Sequence, residues 1–233
     1  MIYKGEKELD TLHIGTKEIE RVLLGEDLIW ENFKYFLLGT GTSINITSIY
    51  PDYANLTAGN FFIKSTSGNP TFSASIVASQ YGPRLGGASS LEKSYNQSTG
   101  VISSNFWASG DSYDRRAVTL VLIPDLQKQI DSGKVVHLGS GRSFSLKNIT
   151  DNWENLTNDN FLISSVSYAN MNQRYYEGGA YTCAGYGQLG YSYNQSNGVL
   201  SAYHNLIFTN NGGGWLSSVY TNADMYYVRK PIV

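Results

Sequence analysis

The chain has 233 residues, a formal net charge of −2 and 15% charged residues, so it offers no basic footprint for nucleic acid or an anionic membrane surface. One cysteine, Cys183, excludes a disulfide framework within the chain, and no apolar run is long enough to read as a membrane-spanning helix. The low charge and the abundance of Gly, Ser, Asn, Thr and Tyr predict an all-β protein rich in turns, and the opening residues lack the pattern of a secretory leader.

Residues 1–33 carry a fine repeat, with Gly5, Gly15 and Gly25 ten residues apart and apolar residues at matching places, such as Leu9, Ile19 and Ile29; the three glycines, Ile19 and Trp30 are the candidate docking residues. Glycine suits turn positions with positive φ, and the runs between are of strand length. The expectation is a β-meander of three short hairpin-linked strands, with Ile2 and Tyr3 adding the first edge. An amphipathic helix is disfavoured, because each glycine costs about 1 kcal/mol inside one. A sheet this small leaves open edges and suits a docking segment.

Two copies of one module follow. Leu38–Ile63 and Leu138–Ile163 align without a gap and share eleven of twenty-six positions; SYNQSTGVIS from Ser94 returns as SYNQSNGVLS from Ser192 with eight of ten identical. Two copies are a tandem duplication and not a solenoid. The division read from this is a first β-sandwich module at 34–125, a short helical linker at 126–133 and a second module at 134–233, both jelly-roll-like. Glycine turns are expected at Gly39 and Gly41 and at Gly139 and Gly141, buried strands at Asn60–Ile63 and Asn160–Ile163, and a hairpin at each SYNQSxG with Gly100 or Gly198 in the left-handed position. Asn-x-Ser/Thr triplets at Asn45, Asn55, Asn96, Asn148, Asn155 and Asn194 read as turn chemistry.

Where the copies agree, the residues are expected to be scaffold. Where they diverge, they hold candidate recognition loops: Trp107, Tyr113 and Arg115 in the first copy, and Tyr175, Tyr176, Tyr181, Tyr203, His204, Asn210 and Trp215 in the second. Tyr set among Ser, Gly and Asn gives large contact area at low entropy cost, and aromatic faces beside polar groups suit sugars. The competing reading is ordinary, since Tyr and Trp also pack within sheets. The three histidines have no zinc spacing, and no P-loop or GxSxG elbow occurs. Carboxylate pairs such as Asp111 with Asp114 and Asp151 with Glu154 carry no sign of facing one another across a substrate. No cofactor, no metal and no enzymatic activity are expected.

The glycine-punctuated opening IYKGEKELDTLHIGTKEIERVLLGEDLIWE resembles the N-terminal segments of tail, baseplate and fibre proteins of phages of Gram-positive gut bacteria. The modules behind it, with LGTGTS or LGSGRS, NLTxxNFxI and SYNQSxGVxS, resemble repeat modules of the same virion proteins. The resemblance covers nearly the whole chain. It implies a virion surface protein, on tail or capsid, made in the host cytoplasm, docked to other virion proteins through residues 1–33 and assembled as a homo-oligomer, with a trimer favoured. Host recognition of a cell-surface glycan or protein is the first expectation. A structural virion part, such as a capsid decoration, head fibre or tail ornament, is the alternative.

Overall fold

A computed structural model of the chain describes residues 3–4, 7–8, 12–14, 17–19, 21–24, 27–31, 33–64, 71–80, 84–174, 181–210 and 216–233. Within these, the backbone alone is described for 3–31, 71, 76–80, 84–85, 172–174, 181–184, 209–210 and 216–217. The fold is all-β, with one short α-helix among the described residues.

The first six strands make three two-stranded hairpins: β1 (Tyr3–Lys4) with β2 (Lys7–Glu8), β3 (Leu12–Ile14) with β4 (Lys17–Ile19), and β5 (Arg21–Leu24) with β6 (Asp27–Glu31). The expected three-stranded meander is therefore corrected. Each ten-residue unit folds back on itself instead of supplying one strand, and among the described residues no pairing links one hairpin to the next. The innermost pairs Lys4↔Lys7, Ile14↔Lys17 and Leu24↔Asp27 leave connections of two residues. Gly5, Gly15 and Gly25, which come first in those connections, lie outside the described residues.

The first repeat contributes β7 (Phe36–Gly41), β8 (Ser43–Asn45), β9 (Phe61–Lys64), β10 (Thr71–Gln80), β11 (Arg84–Asn96), β12 (Val101–Ser109) and β13 (Tyr113–Leu122). Helix α1 (Leu126–Asp131) follows, in the stretch expected to be a helical linker. The second repeat contributes β14 (Val135–Gly141), β15 (Ser143–Ser145), β16 (Phe161–Val166), β17 (Ala169–Arg174), β18 (Tyr181–Asn194), β19 (Val199–Asn210), β20 (Leu216–Thr221) and β21 (Ala223–Val228). The glycine turns expected at 39 and 139 are bulges inside β7 and β14: the register slips beside each, and their φ values are 87° and 86°. Gly100 and Gly198 do close the two hairpins at φ 63° and 69°. A Cβ at Gly198 would also come within 2.9 Å of the Trp153 ring.

The repeats do not close as two separate sandwiches. One ten-stranded sheet runs β14-β21-β16-β9-β13-β12-β11-β17, with β7 and β8 on β13 and β12, and so mixes strands of both. A five-stranded sheet sets β10 of the first repeat on the edge of β18, with β19, β15 and β20 beyond. The exchange is reciprocal, since β17 of the second repeat lies on β11 of the first. It is also symmetric in register. Ala74 pairs with Gly187 and Ala169 with Ser89, and Gly187 precedes Ser192 by five residues just as Ser89 precedes Ser94. The strands β9 and β16 meet antiparallel at Ile63↔Ile163, the same position in each copy, so a pseudo-twofold axis passes between them. The sequence boundaries at 34–125 and 134–233 thus mark a repeat and not closed domains.

This arrangement gives one main core shared by both repeats. Ile46, Phe61, Ile63, Phe106 and Leu120 are fully buried with Leu146, Phe161, Ile163, Leu206 and Met225 in a single cluster. A second cluster lies around Phe62, Leu162, Val121 and Val228, and Leu126 and Ile130 of α1 pack onto it. Lys64 ties the repeats together through Asp159, at 2.9 Å, and the Ile232 carbonyl. Lys93 donates to the carbonyls of Phe61 at 2.6 Å and Ser164 at 2.9 Å, and burial pulls its ammonium down to about 8.

Candidate functional site

The duplicated motifs prove to be internal wiring. Thr57 and Asn60 form a capping box, as do Thr157 and Asn160. The Asn60 amide donates to the carbonyls of Ile123 and Pro124, and the Asn160 amide to those of Val228 and Arg229. Gln97 and Gln195 each donate at 2.7 Å to the carbonyl of Leu56 or Leu156, and the Tyr95 and Tyr193 hydroxyls donate to the carbonyls of Tyr53 and Trp153. Asn45, Asn96 and Asn194 accept from the backbone two residues on, as turn residues do. A polar groove beside each SYNQSxG hairpin is lined by these same residues, whose hydrogen-bonding groups are largely spent within the fold.

The divergent stretches, expected to be loops, are largely long strands. In β12, Ile102, Ser104, Phe106 and Ala108 point into the core, so Asn105 and Trp107 face outward by the twofold alternation of a strand. Trp107 has Ser90 as its partner on β11 and Arg115 on β13. The Trp107 and Tyr113 rings stack, with centroids 5.6 Å apart and 24° between planes, and Tyr113 is 50% exposed. The Arg115 guanidinium lies 5.0 Å from the Tyr113 centroid, and its Nε donates to the Tyr113 hydroxyl at 2.6 Å. Glu92 stands 3.6 Å from Arg115 and accepts from the Asn105 amide at 3.2 Å. Tyr168 comes from the second repeat, just ahead of β17; it is 56% exposed, and its ring centroid lies 6.2 Å from that of Trp107. The result is a composite, outward-facing aromatic platform flanked by one cation and one carboxylate. Two buried polar atoms there, Trp107 Nε1 and Asn105 Oδ1, have no hydrogen-bond partner. Asp114, beside it in sequence, is engaged by Arg116 at 2.8 Å and the Ser75 amide.

Three sequence candidates, Trp107, Tyr113 and Arg115, are thus brought together. Tyr203 is half-buried on β19, in the other sheet. Tyr181 lies on β18 opposite Gln80, and Asn210 on β19 opposite Cys183, with only their backbones described. Tyr175, Tyr176 and Trp215 lie outside the described residues. Of the docking candidates, Ile19 pairs with Leu12 and Trp30 with Val22, again as backbone alone.

His204 is a correction. It is fully buried, edge-on to Phe106 at 5.8 Å, and no ligand reaches it. Its Nε2 lies 2.9 Å from Ser89 Oγ, and its Nδ1 lies 2.9 Å from the Ser167 carbonyl and 2.6 Å from Thr221 Oγ1. A neutral ring protonated at Nδ1 and accepting from Ser89 satisfies every contact. Burial pushes the imidazole down to about 4, against the smaller opposing effect of the Ser167 carbonyl. Although a serine faces a histidine here, Ser89 is itself fully buried, so its Oγ meets no substrate.

Sequence reasoning missed Glu92 and Asn105 as members of the platform and gave no reason to set Tyr168 beside Trp107. Glu92 and Asn105 could have been found by continuing the hairpin register outward from Gly100, which sets them opposite each other. Tyr168 could not, because it arrives with the exchanged strand. Among the described residues no three His, Cys, Asp or Glu side chains converge as a metal site. No known protein family, curated protein or solved structure matches the chain.

Proposed function

We propose that the chain is a non-enzymatic phage virion surface protein that recognises a glycan on Gram-positive cells through the outer face of β17-β11-β12-β13, and that residues 1–33 dock it to other virion proteins in a homo-oligomer. The observation that carries the recognition part is the exposed stack of Tyr113 on Trp107, with Arg115 and Glu92 at its rim. A flat aromatic pair takes the C–H face of a sugar ring, while the exposed Arg115 and Glu92 supply donors and acceptors for hydroxyls. The virion assignment rests on the resemblance of the glycine-punctuated opening and the repeated modules.

The test is adsorption of labelled full-length protein to a panel of Gram-positive cells and their wall polysaccharides, the strain that supports the parent phage included. Binding to that strain, reduced about tenfold or more by Trp107→Ala, is the expected result. No binding to that strain, or binding indifferent to Trp107→Ala and Tyr113→Ala, assigns the platform to contacts within the virion and overturns the proposal.

A further inference from the structure

The outer face of the other sheet plays no part in the reading above. Cross-strand pairing sets Gln188, Asn205 and Tyr220 in one row across β18, β19 and β20. The neighbours of Asn205 along β19, His204 and Leu206, point into the core, so this row faces outward. Tyr220 is 47% exposed, and Arg142, between β14 and β15, holds its guanidinium 4.9 Å from that ring centroid. Unlike Arg115, Arg142 has no carboxylate within ion-pair distance among the described residues.

The second, independent observation is Asn205. It is 6% exposed, its Oδ1 has no partner, and its amide makes only a 3.4 Å bond to Gln188 Oε1. A bond that long is weak, so the side chain can turn to a better partner. Asn205 follows Ser192 by thirteen residues, as Trp107 follows Ser94. The same sheet position in both repeats therefore carries a buried polar atom short of a hydrogen bond, although the residue types differ.

We infer that this face is a second, separate site for a saccharide that bears a carboxylate, a uronic-acid sugar. The Arg142 fork takes the carboxylate, the Tyr220 ring takes the C–H face of the sugar, and a ring hydroxyl donates to Asn205 Oδ1. A single guanidinium with no carboxylate in ion-pair distance among the described residues matches a single carboxylate, and on a chain of net charge −2 it supplies the local attraction. The first platform already balances its cation with Glu92, so the two faces differ in the charge they accept. This inference does not depend on the proposed function, and the experiment separates them.

Full-length ¹⁵N-labelled protein is titrated with oligomers of galacturonate and of glucuronate, with the matching neutral galactose and glucose oligomers, and with inorganic phosphate, and followed by amide shifts. The expected result is that a uronate shifts the Tyr220 and Asn205 signals, that its neutral counterpart binds about tenfold or more weakly, and that Arg142→Gln and Tyr220→Ala each raise the Kd about tenfold. Arg115→Gln leaves that Kd unchanged. Arg142 and Tyr220 are exposed, and unchanged signals elsewhere in each variant show that it is folded. The inference is overturned if neither uronate moves these signals, if neutral sugar or phosphate binds as tightly, or if Arg142→Gln binds as before. Shifts confined to Trp107, Tyr113 and Tyr168 would overturn it too, while leaving the first platform standing.

Discussion

His204 occupies the place that Phe106 holds in the first repeat, and the two rings meet edge to face in the shared core. The substitution brings a titratable group to the centre of the molecule, faced by Ser89, Ser167 and Thr221 and, among the described residues, by no carboxylate within hydrogen-bond distance that would favour its charge. Its folded value of about 4 lies below the ordinary 6.5, so between these values the unfolded chain binds the extra proton. Stability attached to the neutral ring is therefore complete above about pH 6.5 and falls as pH drops toward 4, by up to about 3 kcal/mol. Urea unfolding at pH 7, 5.5 and 4.5 should show this loss. His204→Gln, which retains a donor and an acceptor, should be less stable at pH 7 but lose less on acidification. An unchanged pH slope in that variant would place the acid sensitivity elsewhere. The register continued outward from Gly198 sets His204 on the same side of β19 as Leu200, but the groups that bury it, Ser89 and Phe106, come from the other repeat.

At the scale of elements, the duplicated motifs were the most legible part of the sequence. Strand β9, strand β16, both SYNQSxG hairpins and the α1 segment lie where glycine, proline and apolar pattern put them. The repetition of NLTxxN has a physical cause: one asparagine closes a capping box and also satisfies two carbonyls at the end of the repeat's last strand. Asn160, 1% exposed, does so for Val228 and Arg229. Asn160→Ala removes these bonds without filling the space, and the expected loss is about 3 kcal/mol by chemical denaturation. A loss under about 1 kcal/mol would show that water replaces the amide at both carbonyls. The loops expected in the divergent stretches were misread for one reason. Ser, Gly, Asn and Tyr in β10, β11, β17 and β18 read as loop composition, yet small residues are what the close approach of the two layers requires. A Cβ at Gly187 would meet Ser89, Ala108 and Phe106 at 3.0–3.2 Å.

At the scale of the whole molecule, the duplication was plain in the sequence but its consequence was not. Two similar modules in tandem suggest two domains, whereas the chain folds as an internal pseudo-dimer that exchanges β10 and β17. Nothing local distinguishes a strand that returns to its own sheet from one that crosses, since the same alternation satisfies either edge. The Trp107 platform depends on the exchange, whereas the Tyr220 face is built from the second repeat alone. Tyr168 reaches Trp107 only because β17 lies on β11, and β10 covers the edge of the sheet that carries Tyr220. The most direct test is a cysteine pair at Ala88 and Asn170, which are Cα partners across β11 and β17, introduced with Cys183→Ala and oxidised in dilute solution. Near-complete formation of a disulfide within single chains, read by non-reducing electrophoresis and peptide mass, is the predicted result. Thiols that stay free, or bridges that form only between chains, would contradict the exchange of strands within one molecule and, with it, the composite platform at Trp107.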